Sequence, residues 1–316
     1  HHPGVQASVV APGIYRHRWP LPDERPLVSL IIPTRDGCDL LRTCIDSIVQ
    51  RSTYPNYELL VVDNQSSCPR TLAYLSALDA GTEAGGRARV LRWDHPFNYS
   101  AINNFAAAQA RGSVLGLINN DIEVISPDWL GELVSHALRP DVGCVGAKLY
   151  YPDDTVQHAG VVLGVGGVAN HALRGAARTS PGYFGRLWTL YNPSAVTGAV
   201  LVVRKALFDA VGGLDAEGLP VAFNDVDFCL KVMAAGHRSV WTPHAELYHH
   251  ESVSRGTDTT PEKRTRFLGE VAVMQQRWAH WLQDDPHYNP NLTRLREDYS
   301  LASAAEDIPH APETLR

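Results

Sequence analysis

Along its first 120 residues the chain alternates short apolar runs with longer segments whose apolar residues recur at helical spacing. Short apolar runs bounded by polar residues are typical of buried parallel strands, and spacings of three and four predict helices with one apolar face. The predicted strands are 27–32, which Pro33 ends, 57–63, 89–91 and 114–118, and the predicted helices are 38–50, 68–78 and 100–110. This alternation predicts an α/β fold with a parallel sheet and helices on both faces.

The second half of the chain has a more mixed pattern. Predicted strands are 142–149, 159–165, 196–203, 238–241 and 245–249, and predicted helices are one that opens at 127–130 with Ser126 as its N-cap, one at 225–235, and one of about 20 residues from Pro261. We therefore expect a mostly parallel central sheet, a mixed second half and a C-terminal helix packed by Trp278 and Trp281.

The chain divides by composition into three parts. Residues 1–26 are rich in proline and form a lead-in arm, in which His1 and His2 look like the remnant of a purification tag. The main domain is 27–256, and 257–316 is a C-terminal helical extension with a polar tail. Because the sequence starts abruptly, we expect it to be part of a longer, multidomain protein.

Composition excludes several classes of function. The formal net charge of −6 argues against nucleic acid as a partner, because proteins that follow a phosphate backbone carry a basic surplus. The five cysteines have irregular spacing and no CxxC, which argues against a disulfide framework or a zinc site. The sequence has no apolar run of about 18 residues and no signal peptide, so we expect a cytoplasmic protein.

Polar residues follow the predicted strands of the first half. The segment 34–36, Asp63 and the segment 119–121 all lie at predicted carboxyl ends, where α/β sheets bind ligands. Asp121 is suited to Mg²⁺ or Mn²⁺, and Asp63 to hydrogen bonds from a nucleoside. On spacing alone, a turn residue explains Asp121 equally well, and for Asp63 the turn is the favoured explanation.

Two further groups are candidates for chemistry. Asp225 and Asp227 lie in the first turn of a predicted helix, where the helix dipole favours negative charge but two carboxylates after Asn224 suggest a site. If one is a general base, it must reach an acceptor hydroxyl. His249 and His250 end a predicted strand, where imidazole serves as a metal ligand or as an ordinary polar group.

Six ordered segments of the chain resemble motifs of the family 2 glycosyltransferases with the GT-A fold. The likeness is greatest to the subgroup of bacterial O-antigen and cell-surface polysaccharide assembly, including rhamnosyltransferase-like proteins. The segments are 28–35, 60–66, 117–121, 197–204, 224–231 and 249–254. The resemblance implies a Rossmann-like domain with a nucleotide half, 27–121, and an acceptor half, 122–256.

The resemblance also implies an inverting transfer of a sugar from a UDP-sugar or dTDP-rhamnose to a lipid-linked or oligosaccharide acceptor. Asp121 would bind Mn²⁺ or Mg²⁺, and His249 would complete the metal shell or contact the diphosphate. Asp225 would deprotonate the acceptor hydroxyl. The residues implied at the nucleotide are Pro33, Thr34, Arg35, Asp63, Asn119 and Asn120, and those implied on the acceptor side are Gly198, Ala199, Asn224 and Asp227.

The sequence departs from the family pattern at two positions. Asn119 stands where the family often has the first aspartate of its DxD motif, so the metal would depend on Asp121 and His249. Asn224 stands where the family often has a glutamate before the catalytic aspartate. Neither change removes the implied metal ligand or base.

Two other functions fit parts of the sequence. One is a non-catalytic module that binds a nucleotide-sugar or glycan within a multidomain assembly protein; the joint presence of Asp63, Asp121 and Asp225 argues against it. The other is a nucleotidyltransferase, which should have a glycine-rich basic loop after the first strand, whereas 33–37 has one glycine and one arginine.

The long helix from Pro261 fits two settings. Basic residues beside Phe267, Trp278 and Trp281 would suit the surface of the inner membrane, but packing against the core is the favoured interpretation. The basic residues are Lys263, Arg264, Arg266 and Arg277.

Overall fold

A computed structural model of the chain describes residues 4–250 and 260–303. The strands are β1 (Gln6–Ala11), β2 (Ile14–Arg18), β3 (Val28–Thr34), β4 (Tyr57–Asp63), β5 (Ala88–Arg92), β6 (Val114–Ile118), β7 (Ile122–Val124), β8 (Val142–Tyr150), β9 (Val156–His158), β10 (Val161–Leu163), β11 (Ala169–His171), β12 (Val200–Arg204) and β13 (Arg238–His249). The α-helices are α1 (Cys38–Arg51), α2 (Pro69–Asp79), α3 (Tyr99–Gln109), α4 (Trp129–Ala137), α5 (Lys205–Ala210), α6 (Asn224–Ala234) and α7 (Pro261–Gln283).

One nine-stranded sheet runs through both halves of the chain. Its order is β5-β4-β3-β6-β12-β8-β13-β7, and β9 pairs with β8. Strands β5, β4, β3 and β6 are parallel, whereas β12 is antiparallel to both β6 and β8. Strand β13 is parallel to β8 and antiparallel to β7. The predicted parallel first half and mixed second half are confirmed.

Helices cover both faces of the sheet because alternate strand residues point to opposite sides. Leu30 and Ile32 of β3 belong to a core that includes α1, α2 and α4, whereas Ile31 belongs to a second core with α3, α6 and α7. The C-terminal helix begins at Pro261 as predicted, and the rings of Trp278 and Trp281 stack with centroids 5.1 Å apart. No helix within the described ranges is long and apolar enough to cross a membrane.

Some predicted boundaries are wrong. Pro33 does not end the first strand, because β6 pairs with β3 only as far as Ile31 and proline is tolerated where a strand has one neighbour. The strand predicted at 159–165 is limited to β10, Val161–Leu163, because Gly160 and Gly164, with φ of +90° and +83°, interrupt the extended backbone on either side of it. The two strands predicted at 238–249 form one strand whose pairing with β8 is irregular between Trp241 and Glu246.

Two more boundaries differ from prediction. Strand β12 starts at Val200 rather than 196, since the preceding residues take part in loop contacts. Ser126 is not the cap of α4, which begins at Trp129 after Asp128. Its hydroxyl oxygen instead accepts the N–H of Glu246 at 2.7 Å and so joins α4 to β13.

The lead-in arm contains a hairpin of β1 and β2, which the proline pattern did not predict. The hairpin is tied to α4 by Arg16, whose guanidinium lies 2.6 Å from Glu132 and 3.0 Å from Asp128. Burial alone would raise the pKa of Glu132, but hydrogen bonds and charge from His136 and Arg16 lower it from 4.5 to about 2. Thr242 also donates to this carboxylate at 2.8 Å.

These contacts predict a pH-dependent contribution of Glu132 to stability. Because its folded pKa is depressed, the contribution is complete above about pH 4.5 and is lost as the pH falls towards 2. Glu132→Gln should lower the free energy of unfolding at pH 7 by about 1–3 kcal/mol. The difference in melting temperature between wild type and variant should shrink between those pH values. Asp128→Asn is the matched control, because Asp128 shares Arg16 but is 40% exposed, and it should have a smaller effect. A difference in melting temperature between wild type and Glu132→Gln that stays constant with pH would contradict this contribution of Glu132.

Candidate active site

The sheet topology brings the predicted site residues to one edge. Thr34, Asp63 and Ile118 end parallel strands, so the residues that follow them lie at the same edge. Strand β12 runs the opposite way, so the segment before it reaches that edge from the other half of the chain. The N–H of Asn119 donates to the carbonyl of Ala199 at 3.0 Å and joins the two halves there.

A carboxylate and an imidazole meet at this edge. Asp121 Oδ1 lies 3.2 Å from His249 Nε2, and both residues are buried. The side-chain amide of Asn119 lies 3.2 Å from the same nitrogen. The N–H of His250 donates to the carbonyl of Asp121 at 2.9 Å, which fixes the end of β13 beside β6. Asn119 therefore contacts His249, one of the two predicted metal ligands, directly.

The donor set fits a small divalent cation. Two neighbouring ligands of an octahedral ion with metal–ligand distances of about 2.1 Å are about 3 Å apart, close to the spacing of Asp121 Oδ1 and His249 Nε2. Mn²⁺ accepts both carboxylate and imidazole ligands. No third histidine, cysteine or acidic residue joins this pair within the described residues. Further ligands would therefore come from the Asn119 amide, water or the substrate.

The predicted nucleotide residues form a second group. Asn120 Nδ2 donates to Thr34 Oγ1 at 3.0 Å, which connects the ends of β6 and β3. Pro33 is half-buried and Arg35 is exposed. Asp36, with φ of +53°, accepts the N–H groups of residues 67 and 68 at 2.8 Å each. The loops after β3 and β4 are thus joined into one wall of the site.

Asp63 is buried behind an arginine that the sequence analysis missed. One carboxylate oxygen accepts the N–H of Ser66 at 3.1 Å, and the other is paired with the half-exposed Arg92. Arg92 ends β5 directly opposite Asp63 in the parallel ladder. The sequence signal that could have identified Arg92 is its position directly after the predicted strand 89–91, which pairs with the strand that ends at Asp63. A nucleobase that bonded to Oδ2 would take the place of Arg92.

Asp225 stands at the start of α6, half-exposed, with its carboxylate fixed by backbone groups. Oδ2 accepts the N–H of Gly198 at 2.8 Å, and Oδ1 accepts the N–H of Val226 at 2.8 Å. The hydroxyl of Tyr99 donates to the carbonyl of Gly198 at 2.9 Å. A Cβ atom at Gly198 would lie 3.3 Å from that of Asp225, so glycine permits this close approach. No pattern in the sequence pointed to Tyr99.

The other predicted acceptor-side residues have supporting positions. Ala199 is buried and bonded to Asn119. Asn224 is also buried, and its amide donates to the carbonyl of Val221 at 2.9 Å. Asp227 is fully buried on the side of α7, away from the open edge of Asp225. Its burial and its contact with Arg277 argue against Asp227 as the alternative base that its spacing suggested.

The last predicted motif is described only in part. His250 Nε2 lies 3.2 Å from Glu123, and Arg51 lies 3.1 Å from the same carboxylate. The contact between His250 and Glu123 holds the end of β13 against β7. Residues 251–254 of the motif lie outside the described residues.

Comparison with known sequences gives the family. The sequence model described as Glycosyl transferase family 2 matches residues 29–211. The chain is 54% identical over 292 residues to uncharacterized protein y4gI of Sinorhizobium fredii, which covers 92% of this chain and 32% of that protein. It is 42% identical over 312 residues to O-antigen biosynthesis protein RfbC of Myxococcus xanthus, covering 96% of this chain and 23% of that protein. The chain thus spans about a third or less of these relatives.

Solved structures share the fold at low sequence identity. GalNAc-T7 with UDP, GalNAc and Mn²⁺ superposes with a TM-score of 0.66 at 14% identity, over 83% of this chain and 50% of that chain. The mannosyltransferase PcManGT from Pyrobaculum calidifontis, with GDP-Man and Mn²⁺, gives 0.58 at 18% identity, over 82% of this chain and 67% of that chain. With the family match over more than half of its length, this chain belongs to glycosyltransferase family 2 and has the GT-A fold.

Proposed function

We propose that this chain transfers a sugar from a pyrimidine nucleotide-sugar to a hydroxyl group of a growing bacterial surface glycan, with inversion, using a divalent cation and Asp225 as general base. The observation that carries the proposal is the position of Asp225. Its carboxylate is bonded to Gly198, and Ala199, next in the chain, is bonded to the segment that carries Asp121. A candidate base and a candidate metal site are thereby held in one rigid frame.

Asp121 and His249 would hold the cation. When bound, Mn²⁺ or Mg²⁺ neutralises the charge that develops on the leaving nucleoside diphosphate. The spacing of the two side chains supports this role, and so do the relatives whose structures are named with Mn²⁺. The amide nitrogen of Asn119 lies 3.2 Å from His249 Nε2, so with a cation bound the amide would present its oxygen to the cation instead of its N–H to His249.

The wall formed by the loops after β3 and β4 would bind the nucleoside. Asp63 would accept the imide N–H of uracil or thymine, with Arg92 turning aside to leave Oδ2. Pro33, Thr34 and Arg35 would line the base and ribose. UDP-sugars and dTDP-rhamnose share this imide edge, and both fit the proposal.

Asp225 would take the proton of the acceptor hydroxyl. Each of its oxygens accepts one backbone N–H, which orients the carboxylate and leaves a lone pair free to bind a proton. The activated hydroxyl would attack the anomeric carbon from the face opposite the diphosphate, so configuration inverts. Because Asp227 is paired with Arg277, it is not available for this step.

The chemical class of the acceptor is proposed from the name of one relative. RfbC is named for O-antigen biosynthesis, which supports a lipid-linked or oligosaccharide acceptor at the cytoplasmic face of the inner membrane. The interfacial role considered for α7 is weakened, since Arg277 and Trp278 contact residues of the protein itself. The much greater length of both relatives favours a second arrangement, in which this chain serves as one module of a multidomain assembly protein.

Asp121 and Asp225 should be separable by mutation, because they act on opposite sides of the breaking bond. Asp121→Ala should abolish Mn²⁺-dependent binding of the nucleoside diphosphate and turnover together. Asp225→Asn should bind donor and metal within about twofold of wild type but lose turnover by about 100-fold or more, the usual scale of general-base catalysis. Calorimetry with Mn²⁺ and release of nucleoside diphosphate from a panel of nucleotide-sugars measure the two effects.

Glu123→Gln is a control for the metal variant, because Glu123 is two residues from Asp121 but pairs with His250 and Arg51. It should keep metal-dependent binding. Near-wild-type turnover of Asp225→Asn would contradict the proposed base, and turnover by both active-site variants would contradict the mechanism.

Asp63→Ala should weaken binding of UDP or dTDP by about tenfold even in EDTA, because it removes a contact to the base rather than to the phosphates. Arg92→Ala is the matched control. It frees Asp63 from its partner and should leave binding unchanged or tighter. Calorimetry without metal measures both, and equal affinity of Asp63→Ala and wild type would refute the assignment.

A further inference from the structure

Helix α7 lies beyond the residues that the family model matches, yet it contacts the segment that leads to Asp225. Glu270 is buried, and its Oε1 accepts the N–H groups of Val221 and Ala222 at 2.7 and 2.9 Å. These N–H groups belong to an irregular loop, so a buried acceptor from another element satisfies them. The carboxylate is balanced by Arg266 at 3.4 Å.

The residue after this loop has a strained backbone. Phe223 immediately precedes α6 with φ of +57°, in the left-handed region that a bulky side chain rarely adopts. Such a conformation persists only where the surroundings hold it. The bonds from Glu270 fix the two residues before it, and the ring of Phe267 on α7 packs against the Phe223 ring with centroids 5.6 Å apart.

About two turns further along, α7 holds the start of α6 itself. Arg277 Nη1 lies 2.7 Å from Asp227 Oδ1, and Trp278 Nε1 donates to the same oxygen at 2.9 Å. The other amino group of Arg277 lies 2.7 Å from Asp215, at the beginning of the loop. One guanidinium thus joins both ends of the segment 215–227.

The opposite side of the same segment is fixed by α3. Ser100 Oγ donates to the carbonyl of Leu219 at 2.6 Å, and Asn98 Nδ2 donates to that of Ala216 at 2.8 Å. The neighbouring Tyr99 is bonded to Gly198, the partner of Asp225. The segment 215–227 is therefore held between α3 of the nucleotide half and α7 of the extension.

We propose that Glu270, Arg277 and Trp278 of α7 are positioning residues for Asp225, an inference that rests on the proposed function. They touch neither the base nor the reacting atoms. They fix the strained turn and the first turn of α6, and so set where the Asp225 carboxylate points. Misplacement of a reacting group by about 1 Å can cost about 100-fold in rate, so contacts remote from the chemistry act on turnover.

The test compares two substitutions of one residue with a control on the same helix. Glu270→Ala removes both bonds to the loop, whereas Glu270→Gln keeps an oxygen that accepts them. Met274→Ala removes a fully buried apolar side chain without removing a polar contact. The measurements are kcat, KM for the acceptor, calorimetric affinity for the nucleoside diphosphate with Mn²⁺, melting temperature, and hydrogen exchange of the segment 215–227.

Glu270→Ala should lower kcat by about tenfold or more, leave nucleotide affinity within twofold, and speed exchange of the segment. Glu270→Gln should restore kcat to within about threefold of wild type. Met274→Ala should lower the melting temperature at least as much as Glu270→Ala but keep kcat within twofold well below that temperature. Equal kcat for Glu270→Ala and Met274→Ala, or unchanged exchange in Glu270→Ala, would overturn the inference.

A second pair of variants tests the other end of the contact. Arg277→Met removes the guanidinium 2.7 Å from the buried carboxylate of Asp227, leaves Lys231 3.6 Å from its other oxygen, and should lower kcat about tenfold. Adding Asp227→Asn removes the buried charge that has lost its nearest partner and should recover part of that loss. No recovery of kcat in the double variant would contradict positioning through this pair. A wild-type protein that turned over no nucleotide-sugar would contradict the proposed function, whereas the exchange data would still report separately whether α7 holds the segment.

Discussion

The antiparallel pairing of β6 with β12 is the constraint on which the site depends. In an all-parallel sheet the segment before a strand lies at the edge opposite to the ligand edge. Because β12 runs against β6, Gly198 and Ala199, which precede β12, reach the edge where Asn119 and Asp121 follow β6. The bond from Asn119 to Ala199, which joins the two halves, depends on this reversal, and so does the position of Gly198 next to it, whose N–H bonds to Asp225.

Asp225 differs in its partners from three other carboxylates of the protein. Asp63, Asp227 and Glu132 are buried and each is paired with an arginine from another element. A buried carboxylate without such a partner would be costly, so these pairs fix the relative positions of the elements. Asp225 differs, because neutral backbone N–H groups hold it at a half-exposed position. Its carboxylate is therefore oriented by hydrogen bonds and still partly open to solvent, as the proposed general base must be.

The sequence predicted the parts of the molecule in which a local pattern carries the information. Apolar runs ending in polar residues located β3, β4 and β6. The resemblance to the glycosyltransferases implied that Asp121, Asp225 and His249 act in the same site. The hairpin of the arm escaped prediction because its stability comes from Arg16 and Glu132, which are 116 residues apart. Arg92, Tyr99, Glu270 and Arg277 escaped for the same reason, since each acts on a residue distant in the chain.

The two amides that depart from the family pattern have a common explanation in hydrogen bonding. The amide of Asn224 donates to the carbonyl of Val221, and that of Asn119 lies 3.2 Å from the His249 imidazole. An ionised carboxylate has no proton to donate, so it could not make the first bond. At 224 it would also add a third negative charge to a helix start that already has Asp225 and Asp227. The amide supports the strained turn from within, as Glu270 does from α7, and leaves Asp225 as the carboxylate at the open edge of α6.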